Sequence, residues 1–158
     1  LDLAAACDRM QARRNALYHR WMLARMKREA IGAPGLSAQD RATLAAIRSV
    51  YEFDNRFTAP RHGFGDAATY YARCSAFAGL GGSRAPLLLI HAEDDPWIPA
   101  DPYRALAADP PPNAVVALTE AGGHVGFHAA GGACWSDDRI LDFLAAQASI
   151  SAAASIAK

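Results

Sequence analysis

The fold class is decided by one short stretch, residues 86–90 (PLLLI), which is a continuous apolar run of strand length. Such a run is typical of a strand that is buried on both faces in a parallel sheet. A second apolar run, residues 114–118 (AVVAL), follows a helix expected over residues 103–108, which Asp101 and Pro102 should begin. Strand, helix and strand in this order predict a right-handed crossover between neighbouring parallel strands, and therefore an α/β fold.

The first half of the chain has the residue pattern of helices. Apolar side chains recur at helical spacing through residues 3–30, which predicts one long helix. Ser37 and Asp40 look like a capping box before a short helix that extends over residues 42–50. The aromatic-rich residues 51–64 are expected to be irregular.

Two further caps are expected along the chain. Asp66 should cap a helix that runs to about residue 78, and Ser136 should cap a last helix over residues 140–148. The change of texture predicts three segments: a helical one over residues 1–82, a β-α-β-α one over residues 83–148 and an Ala/Ser-rich tail over residues 149–158.

Composition narrows the possible functions. The 158 residues are 52% hydrophobic and carry 16 basic and 16 acidic side chains, so the formal net charge is zero. This balance argues against the net positive charge that attracts nucleic acids. No apolar run approaches the roughly 18 residues that a membrane span needs. Three cysteines without paired spacing, Cys7, Cys74 and Cys134, favour a reducing, cytoplasmic location over a disulfide framework.

The residues after the two predicted strands are the candidates for chemistry, because open parallel sheets place functional side chains beyond the carboxyl ends of their strands. Asp94 and Asp95 follow the first strand, and His124 follows the second in a loop that begins with Gly122 and Gly123. A carboxylate bonded to one imidazole nitrogen fixes the tautomer and leaves the other nitrogen free to take a proton. Neighbouring strands lie about 4.8 Å apart, so we expect an Asp–His pair whose second nitrogen faces an opening.

Several stretches in a fixed order extend this pattern from residue 1 to about residue 146. They are Glu52-Phe53-Asp54, Phe57-Thr58-Ala59, His62-Gly63-Phe64, Tyr70-Tyr71 with Ser75, residues 91–96 (HAEDDP) and residues 122–127 (GGHVGF). Together they resemble the carboxyl-terminal half of YheT-like α/β-hydrolases, a branch of serine esterases and lipases. The resemblance implies a helical cap over residues 1–82, a carboxyl-terminal part of the hydrolase core over residues 83–148, and an absent amino-terminal half of the sheet.

The resemblance also implies roles for the site residues. Asp95 matches the acid of the family's catalytic triad and His124 matches its base, with Asp94 as the competing acid. The family's nucleophile is a serine in a Gly-x-Ser-x-Gly turn between a strand and a helix, and no serine of this chain stands in such a turn. We therefore expect a fragment of a carboxylesterase or lipase that holds two of the three triad members, needs no cofactor and is inactive alone.

Other functions stay open from the sequence. A chain without the nucleophile also fits a non-catalytic remnant, or a fragment that depends on a partner to cover its exposed strand. The same triad transfers an acyl group to an alcohol when water is excluded, so an acyltransferase is a further alternative. His91, Asp94, Asp95, His124 and His128 are ligand types for a hydrolytic metal ion, but no HxH or HExxH spacing supports a metal site.

Two groups of residues in the helical segment have both a simple and a more specific interpretation. Basic side chains on the first helical stretch form either a solvated face or a peripheral contact with an anionic membrane surface: Arg9, Arg13, Arg14, Arg20, Arg25, Lys27 and Arg28. Aromatic side chains form either the core of the helical segment or the lining of an acyl pocket: Trp21, Tyr51, Phe53, Phe57, Phe64, Tyr70 and Tyr71.

Overall fold

The computed structural model describes residues 2–156. The chain divides into two compact units, one up to Phe77 and the other from Ala78. The first unit is helical, and the second contains a parallel sheet with its helices. In the described part of the chain, no helix combines the length and the apolarity needed to cross a membrane.

The first unit begins with two helices where the sequence predicted one. Helix α1 spans Leu3–Met10 and helix α2 spans Ala16–Gly32, with a 3₁₀ turn at Arg13–Asn15 between them. The single helix expected over residues 3–30 is therefore wrong. The buried Asn15 explains the break, since its side-chain amide donates to the Arg9 carbonyl at 2.8 Å and so replaces a helical hydrogen bond.

The capping box at Ser37 is confirmed, since its hydroxyl accepts from the Asp40 amide and the Asp40 carboxylate accepts from the Ser37 amide. Helix α3 that follows spans Ala38–Ala46, so it starts and ends earlier than predicted. It stops there because Ile47 adopts an extended backbone and is fully buried.

Residues 51–64, which the sequence predicted to be irregular, are mostly helical. Helix α4 (Val50–Phe53), a π-helical turn (Asp54–Thr58) and helix α5 (Ala59–Arg61) follow one another. Burial of Phe53 and Ala59 stabilises these short turns, and local sequence spacing does not report such packing.

Helix α6 (Ala67–Cys74) completes the helices of this unit, and its predicted cap is confirmed because Asp66 accepts from the Thr69 amide at 2.7 Å. It ends before residue 78, and a 3₁₀ segment (Ala76–Gly82) replaces its last turn. Two buried clusters hold the unit together: Cys7, Val50, Ala67 and Tyr71 form one, and Leu23, Leu44, Ile47 and Phe53 form the other.

The second unit contains the predicted strand–helix–strand order. Strand β1 (Leu87–Ala92), helix α7 (Asp101–Ala108) and strand β2 (Ala114–Thr119) follow one another, and the strands pair in parallel from Leu87 with Ala114 to Ala92 with Thr119. The parallel α/β architecture is confirmed. Most of β1 is only half-buried, because in the described part of the chain the sheet has two strands and β1 has one neighbour.

Helix α8 (Trp135–Ile156) closes the second unit. It begins before the position predicted from Ser136, which lies in its first turn instead of at its cap. The helix also continues through the Ala/Ser-rich residues as far as Ile156, and the last two residues of that segment lie outside the described residues.

Candidate active site

Asp95 lies in the turn that leaves the carboxyl end of β1. Its Oδ1 accepts hydrogen bonds from the backbone amides of Trp97 at 2.7 Å and Ile98 at 2.9 Å. Aspartate favours such turns because its short side chain bonds amides two and three residues ahead. The side chain is 1% exposed, so the turn both buries the carboxylate and orients it.

His124 lies in a tight turn that leaves β2. Gly123 has a φ of +60°, which glycine adopts without strain. A Cβ atom at Gly122 would stand 2.6 Å from the Phe127 ring, so this position has no room for a side chain. The Gly122 carbonyl accepts from the amides of Gly126 at 2.9 Å and Phe127 at 3.2 Å, which closes the turn around His124.

The two side chains expected to meet do so. His124 Nδ1 lies 2.9 Å from Asp95 Oδ2, although the residues are 29 positions apart. The parallel pairing of β1 and β2 brings both turns to one sheet edge. The His124 side chain is 40% exposed. The Trp97 ring packs edge-on against the imidazole, with the two ring centroids 4.9 Å apart. Among the described residues no serine hydroxyl bonds to this imidazole.

The surroundings keep Asp95 ionised. Burial by itself raises the pKa of a carboxyl group, but hydrogen bonds from the Ile98 amide, the His124 ring and the Trp97 amide outweigh it. The pKa of Asp95 therefore lies below its ordinary value. An ionised Asp95 makes His124 Nδ1 the donor and leaves Nε2 as an acceptor on the exposed ring.

Asp94 does not bond to the imidazole. Its Oδ1 accepts from the backbone amides of Gly122 at 3.0 Å and Gly123 at 2.8 Å. The sequence makes Asp94 a competing acid or a candidate metal ligand, and it does not predict this contact with the loop amides. Adjacent acidic residues followed by a Gly-Gly turn are the signal that points to it, but only tertiary structure shows which carboxylate reaches which group.

His91, the last-but-one residue of β1, is buried behind the acid turn. Its ring stacks on Tyr103 at a centroid distance of 3.8 Å, and its Nε2 has no hydrogen-bond partner among the described residues. Burial lowers the pKa of His91, which the Asp95 charge and a hydrogen bond with the Ile98 backbone only partly offset. His91 is thus a buried residue that packs against Tyr103.

The metal interpretation finds no support in the geometry. Across residues 2–156, no group of three or more His, Cys, Asp or Glu side chains is placed to hold a metal ion. Asp94 accepts hydrogen bonds from backbone amides and Asp95 is hydrogen-bonded to His124, so these candidate ligands already bond to groups of the protein.

Parallel strands with an aspartate–histidine pair at their carboxyl ends are the arrangement of the α/β-hydrolase fold. Comparison with known proteins agrees, and the chain belongs to the α/β-hydrolase family. It is 36% identical over 90% of its length to YheT of Escherichia coli, whose name carries an esterase assignment. It is also 35% identical over 64% of its length to a monoacylglycerol lipase of Saccharomyces cerevisiae, and 36% identical over 56% to the mouse phospholipase ABHD3.

These matches cover only part of each relative. The chain spans 44% of the bacterial protein, 22% of the yeast lipase and 21% of the mouse phospholipase. No family model and no solved structure matches the chain.

Proposed function

We propose that this chain supplies the acid and the general base of a Ser–Asp–His triad in a carboxylic-ester hydrolase, whose serine lies on a segment outside the chain. The observation that carries the proposal is the 2.9 Å contact between a buried carboxylate and a partly exposed imidazole. A loop histidine without function has no need of a buried, ionised partner, since burying a charge is costly unless it is well paired.

In this mechanism His124 moves the proton and Asp95 does not. Nε2 takes the proton of the attacking serine hydroxyl and later gives it to the leaving alcohol. A water molecule then gives a proton to Nε2 and attacks the acyl-enzyme, and the serine takes that proton back as the carboxylic acid leaves. Asp95 holds the ring through Nδ1 and stabilises the imidazolium, and its low pKa keeps it ionised while it does so.

The substrate class we propose is a short-chain or lipid carboxylic ester. The relatives support it, because two of them are named as a monoacylglycerol lipase and a phospholipase. Esters of both kinds share the carbonyl that a serine attacks, so the triad chemistry is the same for either.

The helical segment, residues 1–82, is proposed as the cap of this enzyme. Most of its aromatic rings contact one another: Phe53 with Phe57, Phe64 with Tyr70, and Tyr70 with Tyr71, at centroid distances of 5.3, 5.2 and 5.5 Å. Phe53 and Tyr71 are buried in the core of this unit, and Phe57 and Tyr70 pack against it. Tyr70 and Tyr71 also line a cavity of about 160 Å³, whose walls are mostly apolar, and this cavity is the candidate acyl pocket.

We also propose a peripheral contact of helix α2 with anionic membranes. Leu17 and Trp21 are 76% and 54% exposed, one helical turn apart on the same face. The Arg25 guanidinium lies 5.3 Å from the centre of the Trp21 ring. Exposed apolar and aromatic side chains beside arginines are the composition of interfacial helices.

Acyl transfer is a second candidate reaction. The observation that favours it is a relative named medium-chain fatty acid ethyl ester synthase/esterase 2, from Saccharomyces cerevisiae, which is 31% identical over 62% of this chain. The two reactions differ only in whether water or an alcohol attacks the acyl-enzyme. Product analysis in water–ethanol mixtures measures the partition directly.

Variants of the protein that carries an upstream Gly-x-Ser-x-Gly segment test the triad. His124→Ala should abolish both hydrolysis of p-nitrophenyl esters and labelling of the serine by a fluorophosphonate probe, because the serine loses its base. His62→Ala, at an exposed histidine of the helical unit, is the matched control and should keep both. Full labelling in His124→Ala would contradict the role of His124 as the base, whereas an upstream sequence with no such serine would favour the non-catalytic remnant.

A further inference from the structure

Two consecutive carboxylates leave β1, and both bond to the His124 loop at different points. Asp95 Oδ2 bonds to the ring at 2.9 Å, whereas Asp94 Oδ1 accepts from the amides of Gly122 and Gly123, the two residues before His124. We propose that Asp94 is a positioning residue, which holds the backbone of the loop while Asp95 holds the ring. The inference rests on the proposed function only in giving His124 a catalytic role.

The Gly122 peptide is held on its other sides by the loop itself. Its carbonyl accepts from the amides of Gly126 and Phe127, and its Cα faces the Phe127 ring with no space for a Cβ. The amide side of the peptide is held by Asp94 at 3.0 Å. Asp94 thus ties the backbone of this self-closed loop to the turn after β1, whereas Asp95 contacts the His124 side chain.

A single contact between Asp95 and His124 does not fix the orientation of the loop. A single hydrogen bond to the ring does not by itself restrain rotation about the Nδ1–Oδ2 axis, and such a rotation would move Nε2. Asp94 adds two hydrogen bonds from the neighbouring residue of the same turn, at 3.0 and 2.8 Å. Catalytic geometry must hold to within about 0.5 Å, so a second attachment point is what a general base requires.

Two substitutions of Asp94 separate the effect of its acceptor oxygen from the effect of its negative charge. Hydrogen bonds from backbone amides to a carboxylate are charge-assisted and stronger than those to a neutral oxygen. Asp94→Asn keeps an oxygen at the same position and loses the charge, whereas Asp94→Ala loses both. Asp94 is exposed, so neither substitution opens a cavity, and both variants should fold.

The test is NMR on the ¹⁵N-labelled full chain, which needs no turnover. In Asp94→Ala we expect the amides of Gly122 and Gly123 to exchange about tenfold faster or more, and the His124 Nδ1–H resonance to broaden or vanish. Asp94→Asn should retain that resonance. Asp109→Ala, at an exposed aspartate of the same unit, is the control and should match the parent chain.

Unchanged exchange at Gly122 and Gly123 with an intact Nδ1–H resonance in Asp94→Ala would overturn the inference. If that variant also loses amide protection in β2, it has unfolded, and the chemical shifts of Asp94→Asn decide instead. Loss of the charged acceptor should then move the Gly122 and Gly123 amide protons upfield, and unchanged shifts would overturn the inference.

Turnover in the protein that carries the serine separates this inference from the proposed function. Asp94→Ala should lower kcat with little change in KM, and Asp94→Asn should lower kcat less. If His124→Ala abolishes activity while Asp94→Ala keeps the kcat of the parent, only the positioning role is wrong. If His124→Ala stays active, the proposed function is wrong, and the NMR result still decides what Asp94 does.

Discussion

At the scale of single residues, burial separates the two members of the pair. The Asp95 side chain is 1% exposed and that of His124 is 40% exposed, so the ionised carboxylate is inside and the imidazole, which we propose as the proton carrier, is accessible. Backbone amides replace the water that the carboxylate gives up on burial. This difference in burial suits a triad in which the aspartate stays ionised and only the histidine takes up and releases a proton.

The first residue-scale prediction ranks the two aspartates. In the protein that carries the serine, Asp95→Asn should lower turnover by about 10⁴-fold, because the imidazole loses its correct tautomer. Asp94→Asn should cost far less, since its oxygen still accepts from the loop amides. Both variants should keep the circular dichroism of the parent. The reverse ranking would assign the role of triad acid to Asp94.

The second residue-scale prediction concerns acid stability. The folded pKa of Asp95 is below its unfolded value, so the stability it contributes is complete above the ordinary aspartate value of 3.8 and is lost as the pH falls through the folded value. Asp95→Asn has no such titration. Urea unfolding from about pH 5 to about pH 3 should therefore show the parent losing stability faster than Asp95→Asn. Parallel curves would contradict the low pKa.

At the scale of elements, the loop after β2 depends on the absence of a side chain at Gly122. Gly122→Ala should destabilise the chain by about 1–3 kcal/mol, because the added methyl group meets the Phe127 ring and Ala92. Gly82→Ala, where a Cβ atom meets nothing within 4 Å, is the control. Denaturant midpoints compare the two, and equal midpoints would show that the loop moves aside freely.

Helix α2 carries the prediction about membranes. The chain should sediment with vesicles that contain phosphatidylserine and should not sediment with phosphatidylcholine alone, because arginines supply the attraction and apolar side chains the insertion. Replacing Leu17 and Trp21 together by serine should abolish binding, whereas Tyr51→Ser, which is 41% exposed in the parent, should not. Binding that persists in the double variant would remove α2 from the contact.

At the scale of the whole molecule, the chain spans less than half of the E. coli, yeast and mouse relatives it was compared with. We expect this chain by itself to hydrolyse p-nitrophenyl acetate no faster than background, because no serine hydroxyl among the described residues bonds to the imidazole. A fluorophosphonate probe should leave it unlabelled. Stoichiometric labelling of any serine that depends on His124 would contradict this expectation.

The features that depend on local residue spacing and on strand order could be predicted from the amino-acid sequence. Caps at Ser37 and Asp66 follow from side chains that bond amides three residues ahead. Parallel strands place their carboxyl ends at one edge, so the meeting of the acidic turn with the His124 loop followed from strand order, whereas the choice of Asp95 over Asp94 came from the family resemblance. The catalytic roles assigned to Asp95 and His124 stay predictions until the variants are measured.

Features that depend on contacts between residues distant along the chain became visible in the folded structure and not before. The break after α1 and the helical turns over residues 51–64 arise from a buried amide and buried apolar side chains, which leave no periodic signal. The different hydrogen-bond partners of Asp94 and Asp95 also depend on such distant contacts. Consecutive side chains of a turn point in different directions, and which one meets an amide 28 residues away is set by the packing of two loops.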